Sequence, residues 1–164
     1  MRKPEAVQSK IMTIEPLLHL IASRRLINFR IVFTNGCFDV LHKGHAHILN
    51  HASAVTDHTF LIVGLNSDAS VTRLKGEGRP INQFDDRALM LASMHAVDAV
   101  VGFEEDTPYE LIKMIRPDYL VKGGDYDPAT IVGADIVKAS GGEVVVIPYL
   151  ENYSTTKLIS KLAN

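Results

Sequence analysis

The segment Thr34-Asn-Gly-Cys-Phe-Asp-Val-Leu-His-Lys-Gly-His45 holds the residues of this chain best suited to chemistry. It follows a short apolar run, Ile31-Val-Phe-Thr34, and opens a stretch of helical character from Gly44 to Val55. Free backbone amides at a helix start attract phosphate, and the helix dipole adds to that attraction. Gly36 and Gly44 lack side chains, so a ligand can approach the backbone closely there. His42 and His45 stand one helical turn apart and therefore share a face. Two imidazoles so placed can donate hydrogen bonds to the oxygens of one phosphate. Plainer readings are an ordinary glycine turn with surface or core histidines, or a metal cluster of His42, His45 and His47 with Cys37. The spacing matches no common zinc pattern. The segment is not a P-loop, because GxxxxGK[ST] is missing, and it lacks the GxGxxG of dinucleotide binding.

Other polar clusters lie where apolar runs end. Asn66-Ser-Asp68 follows Thr59-Phe-Leu-Ile-Val63 and, taken alone, reads as a helix N-cap. Lys75 and Arg79 sit in Leu74-Lys-Gly-Glu-Gly-Arg-Pro80; they are either solvated cations or an anion clamp that folds over phosphates. Arg87 opens the next helix, where a surface salt bridge with Asp85 or Asp86 is the plain reading. Lys122, Gly123 and Asp125 belong to Val121-Lys-Gly-Gly-Asp-Tyr126. The glycines make a tight turn, and the Lys and Asp flanking them reach a phosphate and a polar base or sugar group. Ser154, Thr155 and Thr156 open the last helix in Tyr153-Ser-Thr-Thr-Lys157. Ser154 suits an N-cap, and hydroxyls beside free amides also make a site for terminal phosphates.

These clusters need a scaffold, and the apolar pattern supplies one. Strand-type runs at Ile31–Thr34, Thr59–Val63, Ala99–Val101, Tyr119–Val121 and Val144–Ile147 alternate with helical stretches, including Asp85–His95, Tyr109–Ile115, Ile131–Ser140 and Ser154–Leu162. Short apolar strands alternating with helices predict an α/β, Rossmann-like, doubly wound five-stranded parallel sheet in a single domain. Such sheets bind ligands at the carboxyl ends of their strands, where the polar clusters fall. Residues 1–10 read as a loose tail, and Ile11 to Ile27 as an N-terminal helix whose apolar face covers the sheet or meets a partner subunit. The 164 residues suffice for one domain with a real core, and 46% hydrophobic against 22% charged residues excludes disorder. A net charge of −2 speaks against a dedicated nucleic-acid binder. The single cysteine, Cys37, rules out an intrachain disulfide, so the cytoplasm is the default compartment. No secretory segment is visible, and no apolar run reaches the roughly 18 residues a membrane helix needs.

Gly36-Cys-Phe-Asp-Val-Leu-His-Lys-Gly-His45 resembles the GxFDxxHxGH signature of the HxGH nucleotidyltransferase superfamily. The resemblance spans about Ile31 to Leu162, which divides the chain into a tail and helix (1–30) and a nucleotidyltransferase domain (31–164). It implies that His42 and His45 stabilise the transferring α-phosphate, with Lys75 beside them. It places Thr34, Gly36, Cys37, Phe38, Gly44, Lys122, Gly123, Asp125 and Ser154–Thr156 on the nucleotide. Asn66, Asp68, Arg79 and Arg87 fall on the acceptor side; Asp39 either orients the acceptor or braces the turn. Lys122-Gly-Gly-Asp-Tyr126, Glu104-Glu-Asp-Thr-Pro108 and Ile131-Val-Gly-Ala-Asp135 look like the heptose-type adenylyltransferases. Leu150-Glu-Asn-Tyr-Ser-Thr-Thr156 lacks the Arg and Gly of the RTxGIST string of the cytidylyltransferase relatives, which favours ATP over CTP. The expected partners are therefore ATP, with Mg2+, and a sugar phosphate, in a homodimeric cytoplasmic enzyme. A cytidylyltransferase, a non-catalytic nucleotide-binding protein and a metal-binding module are the alternatives.

Overall fold

The computed structural model describes residues 5–150. The expected last helix and its Ser154, Thr155 and Thr156 lie outside these residues. Five strands alternate with helices: β1 (Arg30–Gly36), α3 (Lys43–Ser53), β2 (Thr59–Asn66), α4 (Asp68–Lys75), α5 (Phe84–Ser93), β3 (Ala99–Phe103), α6 (Tyr109–Ile115), β4 (Tyr119–Gly123), α7 (Ala134–Ala139) and β5 (Glu143–Ile147), preceded by α1 (Glu5–Gln8) and α2 (Ile14–Leu26). The sheet order is β3-β2-β1-β4-β5, and every pairing is parallel.

The strands are apolar on both sides because both sides are covered. Val32, Leu61, Val63, Val100 and Val121 face Leu49 and Ala52 of α3 and Ala88, Leu91 and Ala92 of α5. Ile31, Phe33, Ile62, Val101 and Leu120 face Leu17 and Ile21 of α2, Ile112 and Ile115 of α6, and Val137 of α7. Leu17 and Ile112 are fully buried, and each such side chain stabilises the fold by roughly 1.5–3 kcal/mol.

The order reverses at β1. The chain steps outward from β1 to β2 and β3, then returns past β1 to place β4 and β5 on the other side. The seam between β1 and β4 is thus the topological switch point, where open α/β sheets bind ligands. β1 and β2 are in register over seven residue pairs, but β1 and β4 over only two, Val32 with Tyr119 and Phe33 with Leu120.

The N-terminal segment departs from a loose tail. After α1, Ile11 forms a parallel bridge to Val100; the Val100 N–H donates to Lys10 O at 2.8 Å, and the Met12 N–H to Val100 O at 3.0 Å. The Lys10 ammonium donates to the carbonyl of Val97. Residues 10–12 therefore line the outer edge of β3. α2 begins three residues later than expected, and its apolar face lies on the sheet. α7 likewise starts at Ala134 rather than Ile131, because Gly133 caps it in the left-handed region at φ 87°.

Candidate active site

β1 delivers the chain to the switch point, and the turn after Gly36 feeds directly into α3. His42 is the N-cap of that helix, with extended backbone at φ −145° and ψ 174°. Its Nδ1 accepts the Gly44 N–H at 3.1 Å, and His45 Nδ1 accepts the His42 N–H at 3.4 Å. The two imidazoles thus form a reciprocal capping box, a role usually held by Ser or Thr with Glu. A ring nitrogen that accepts carries no proton, so each imidazole keeps its proton on Nε2. The rings stack at 3.9 Å between centroids and 28° between planes, and Phe38 packs on His45 at 5.2 Å. Burial, reinforced by His42, lowers the His45 pKa to about 4; burial also lowers that of His42. At neutral pH the pair presents two uncharged N–H donors at the amino end of a helix.

Cations surround this turn. The Lys122 ammonium, on β4, reaches across the seam to donate to Asn35 Oδ1 at 2.8 Å. Burial brings its pKa down to about 8. Burial raises the pKa of the Cys37 thiol, and Lys75, Arg87 and Arg79 oppose that shift through their charge. Phe38 sits at φ 45°, an uncommon conformation for a residue with a side chain, which only a well-braced turn retains.

The brace comes from two buried charges. Asp39, 2% exposed, accepts from Arg79 Nε, from the Ile81 N–H at 2.7 Å and from the Asn82 N–H at 3.0 Å. Of the two roles open to Asp39 from sequence, these bonds are those of a brace. Arg87, 1% exposed, donates to Cys37 O at 2.6 Å, Asn82 O at 3.0 Å and Asp68 Oδ1 at 2.6 Å. Its partner is therefore Asp68 at the start of α4, not the neighbouring Asp85 or Asp86. Asp68 also receives the Phe84 N–H at 3.2 Å. Asn66 is buried and donates to Ser70 Oγ at 3.0 Å.

The structure brings Gly36, Cys37, Phe38, His42, Gly44, His45 and Lys122 together at the seam. Thr34 is buried within β1. Lys75 is exposed at the end of α4, and Asp125 is exposed beyond β4. Gly123 serves packing: a Cβ there would collide with Cδ1 and Cγ1 of Ile48 on α3. Sequence reasoning missed Asn35 and Asn82, the first beside Lys122 and the second joining Asp39 to Arg87. Asn35 was open to inference from its place at the carboxyl end of β1; nothing marked Asn82. The rings of Tyr126 and Tyr149 flank Gly124. A cavity of about 400 Å³ lies on the other side of the turn, lined by Phe38 to Leu41, Asn82, Asp86, Arg87, Leu89 and Met90. Among the described residues no group of three or more His, Cys, Asp or Glu converges as a metal cage.

The chain is 52% identical over 161 residues to the bifunctional protein HldE of Pseudomonas paraeruginosa, and 51% identical over 161 residues to that of Azotobacter vinelandii. Each match covers 98% of this chain but 34% of the relative, so the chain spans about a third of those proteins. The crystal structure of the lipopolysaccharide core biosynthesis protein from Thermoplasma volcanium shares the fold, with a TM-score of 0.60 and 24% identity over 77% of this chain and all of that one. The family model for cytidylyltransferase-like proteins matches residues 33–161, the stretch that holds the imidazole cap, the cation seam and the sheet beneath them. This chain is a nucleotidyltransferase and belongs to the cytidylyltransferase-like family.

Proposed function

We propose that this protein transfers AMP from ATP to D-glycero-β-D-manno-heptose 1-phosphate, giving ADP-heptose and pyrophosphate for lipopolysaccharide core precursors. The observation that carries the reading is the imidazole cap, two neutral Nε2–H donors side by side at a helix start. The KGGDY, EEDTP and IVGAD strings support the heptose acceptor and ATP. Half-identical relatives that contain this domain within a bifunctional protein are consistent with both.

The acceptor's phosphate is the nucleophile. With a second pKa of about 6, a phosphate monoester is already a dianion near neutral pH, so no general base is required. Its oxygen forms a bond to the α-phosphorus as the bond from that phosphorus to the bridging oxygen breaks, and pyrophosphate leaves. Alignment and charge neutralisation then carry the catalysis. His42 and His45 donate to the α-phosphate oxygens without adding a titrating charge. Lys122 holds an anionic group from the β4 side, and Lys75 and Arg79 from the α4 side. Ser154, Thr155 and Thr156 anchor the departing pyrophosphate. Asn66, Asp68 and Arg87 act on the acceptor side through the packing around α4 and the loop after it. Magnesium would enter with ATP, held by the nucleotide, and would supply charge neutralisation on the phosphates. We propose the cytoplasm as its compartment, with the enzyme acting as a homodimer.

The test is incubation with ATP, magnesium and heptose 1-phosphate. ADP-heptose and pyrophosphate should appear in equal amounts, and CTP should replace ATP poorly. In His45→Ala the rate should fall about 10²-fold or more, with the melting transition retained. A wild-type enzyme that forms no ADP-heptose overturns the acceptor assignment. Near-normal turnover in His45→Ala removes the imidazole's role.

A further inference from the structure

Asp39 lies in the turn that leads to the imidazole cap, yet its carboxylate is turned inward. Its oxygens receive three donors, Arg79 Nε and the N–H groups of Ile81 and Asn82. Its own carbonyl receives the Asn82 side chain. All four contacts come from residues 79–82. Burial pushes the Asp39 carboxyl upward, but the Asn82 N–H, the Arg79 guanidinium and the Ile81 N–H outweigh it and hold the group below its ordinary range. On the opposite side Arg87 joins Cys37 O to Asn82 O. Turn and loop are thus fastened by one buried carboxylate and one buried guanidinium.

Beyond these contacts, the Thr72 hydroxyl of α4 donates to Arg79 O at 2.7 Å. Gly76 and Gly78 adopt φ of 95° and 80°, and a Cβ at either would meet nothing within 4 Å. The cations that the proposed reaction uses, Lys75 and Arg79, flank these two glycines. A charge buried at a turn is expensive unless fully paired, and Asp39 directs all its pairing at this one loop.

We propose that Asp39 is a positioning residue: it clasps residues 79–82 to the catalytic turn and so fixes the spacing between the loop's cations and the two imidazoles. The proposal rests on the nucleotidyl-transfer reading for its kinetic consequence, but its structural consequence is measurable without any substrate.

Hydrogen exchange on the full chain tests the clasp directly. In Asp39→Ala the amides of Ile81 and Asn82 should exchange about tenfold faster or more. Asp39→Asn, which keeps an acceptor for the amides but loses the charge facing Arg79, should fall between wild type and Ala. In turnover, Asp39→Ala should raise the acceptor KM and lower kcat by about tenfold, as expected when reacting groups lose alignment. ATP affinity, measured without acceptor, should fall less than kcat does, because Lys122 on the β4 side of the site is untouched. Unchanged exchange in Asp39→Ala overturns the clasp, as does a loss of ATP affinity that matches the loss in kcat. Should Asp39→Ala not fold, Asp39→Asn and Arg79→Ala carry the same exchange test. If exchange responds as stated while the wild type makes no ADP-heptose, the clasp stands and the acceptor assignment falls.

Discussion

Lys122 keeps its charge only up to mildly alkaline pH, because burial has brought its pKa down to about 8. Below that value the ammonium is protonated and can hold a phosphate; above it the group is neutral and cannot. Since kcat/KM reports the free enzyme, kcat/KM for ATP should fall as pH rises through about 8. In Lys122→Arg that limb should move beyond the measurable range, since guanidinium does not titrate there. An alkaline limb that stays in place in the Arg variant would assign it to another group. At this scale the sequence named the chemical groups but not their use. Two histidines one turn apart were visible as a pair. Their capping box was not, because imidazole is not among the usual cap residues and the exchange depends on the turn before them. Taken alone, Arg87 reads as a surface cation beside two aspartates, and only the resemblance sets it near the site. Its burial, and its pairing with Asp68 nineteen positions back, arise from tertiary packing that no local pattern records.

The helix that carries the imidazoles is held against β4 by a missing side chain. Ile48 of α3 occupies the space that a Cβ at Gly123 would take. A β-branched residue in a helix has essentially one χ1 rotamer, so Ile48 cannot swing aside. Gly123→Ala should therefore destabilise the protein by about 1–3 kcal/mol, the usual penalty of overpacking, and lower kcat by displacing α3. Adding Ile48→Ala should restore part of the stability; denaturant melts of the two single variants and the double variant measure this. The strands were legible because their apolar runs lie between two helix layers and need not alternate. α1 was not, since four residues carry no helical period. The arm beside β3 was equally hidden: residues 10–12 gain their order from Val100, far along the chain.

For the molecule as a whole, that arm covers part of an open sheet edge. An outer strand presents unpaired backbone groups on which other chains can pair, and residues 10–12 occupy those of Val100 on β3. Removing residues 1–12 should lower the melting temperature and increase light scattering on standing. A truncated protein that melts and stays dispersed like the full chain would show that the arm is dispensable. Among the described residues no helix is long and apolar enough to cross a membrane. The sheet itself consists of three strands and two, joined by the two paired positions between β1 and β4, with the Lys122–Asn35 hydrogen bond just above them. Beyond Phe33 and Leu120 the two strands part, and there Asn35 and Lys122 meet through their side chains instead of their backbones.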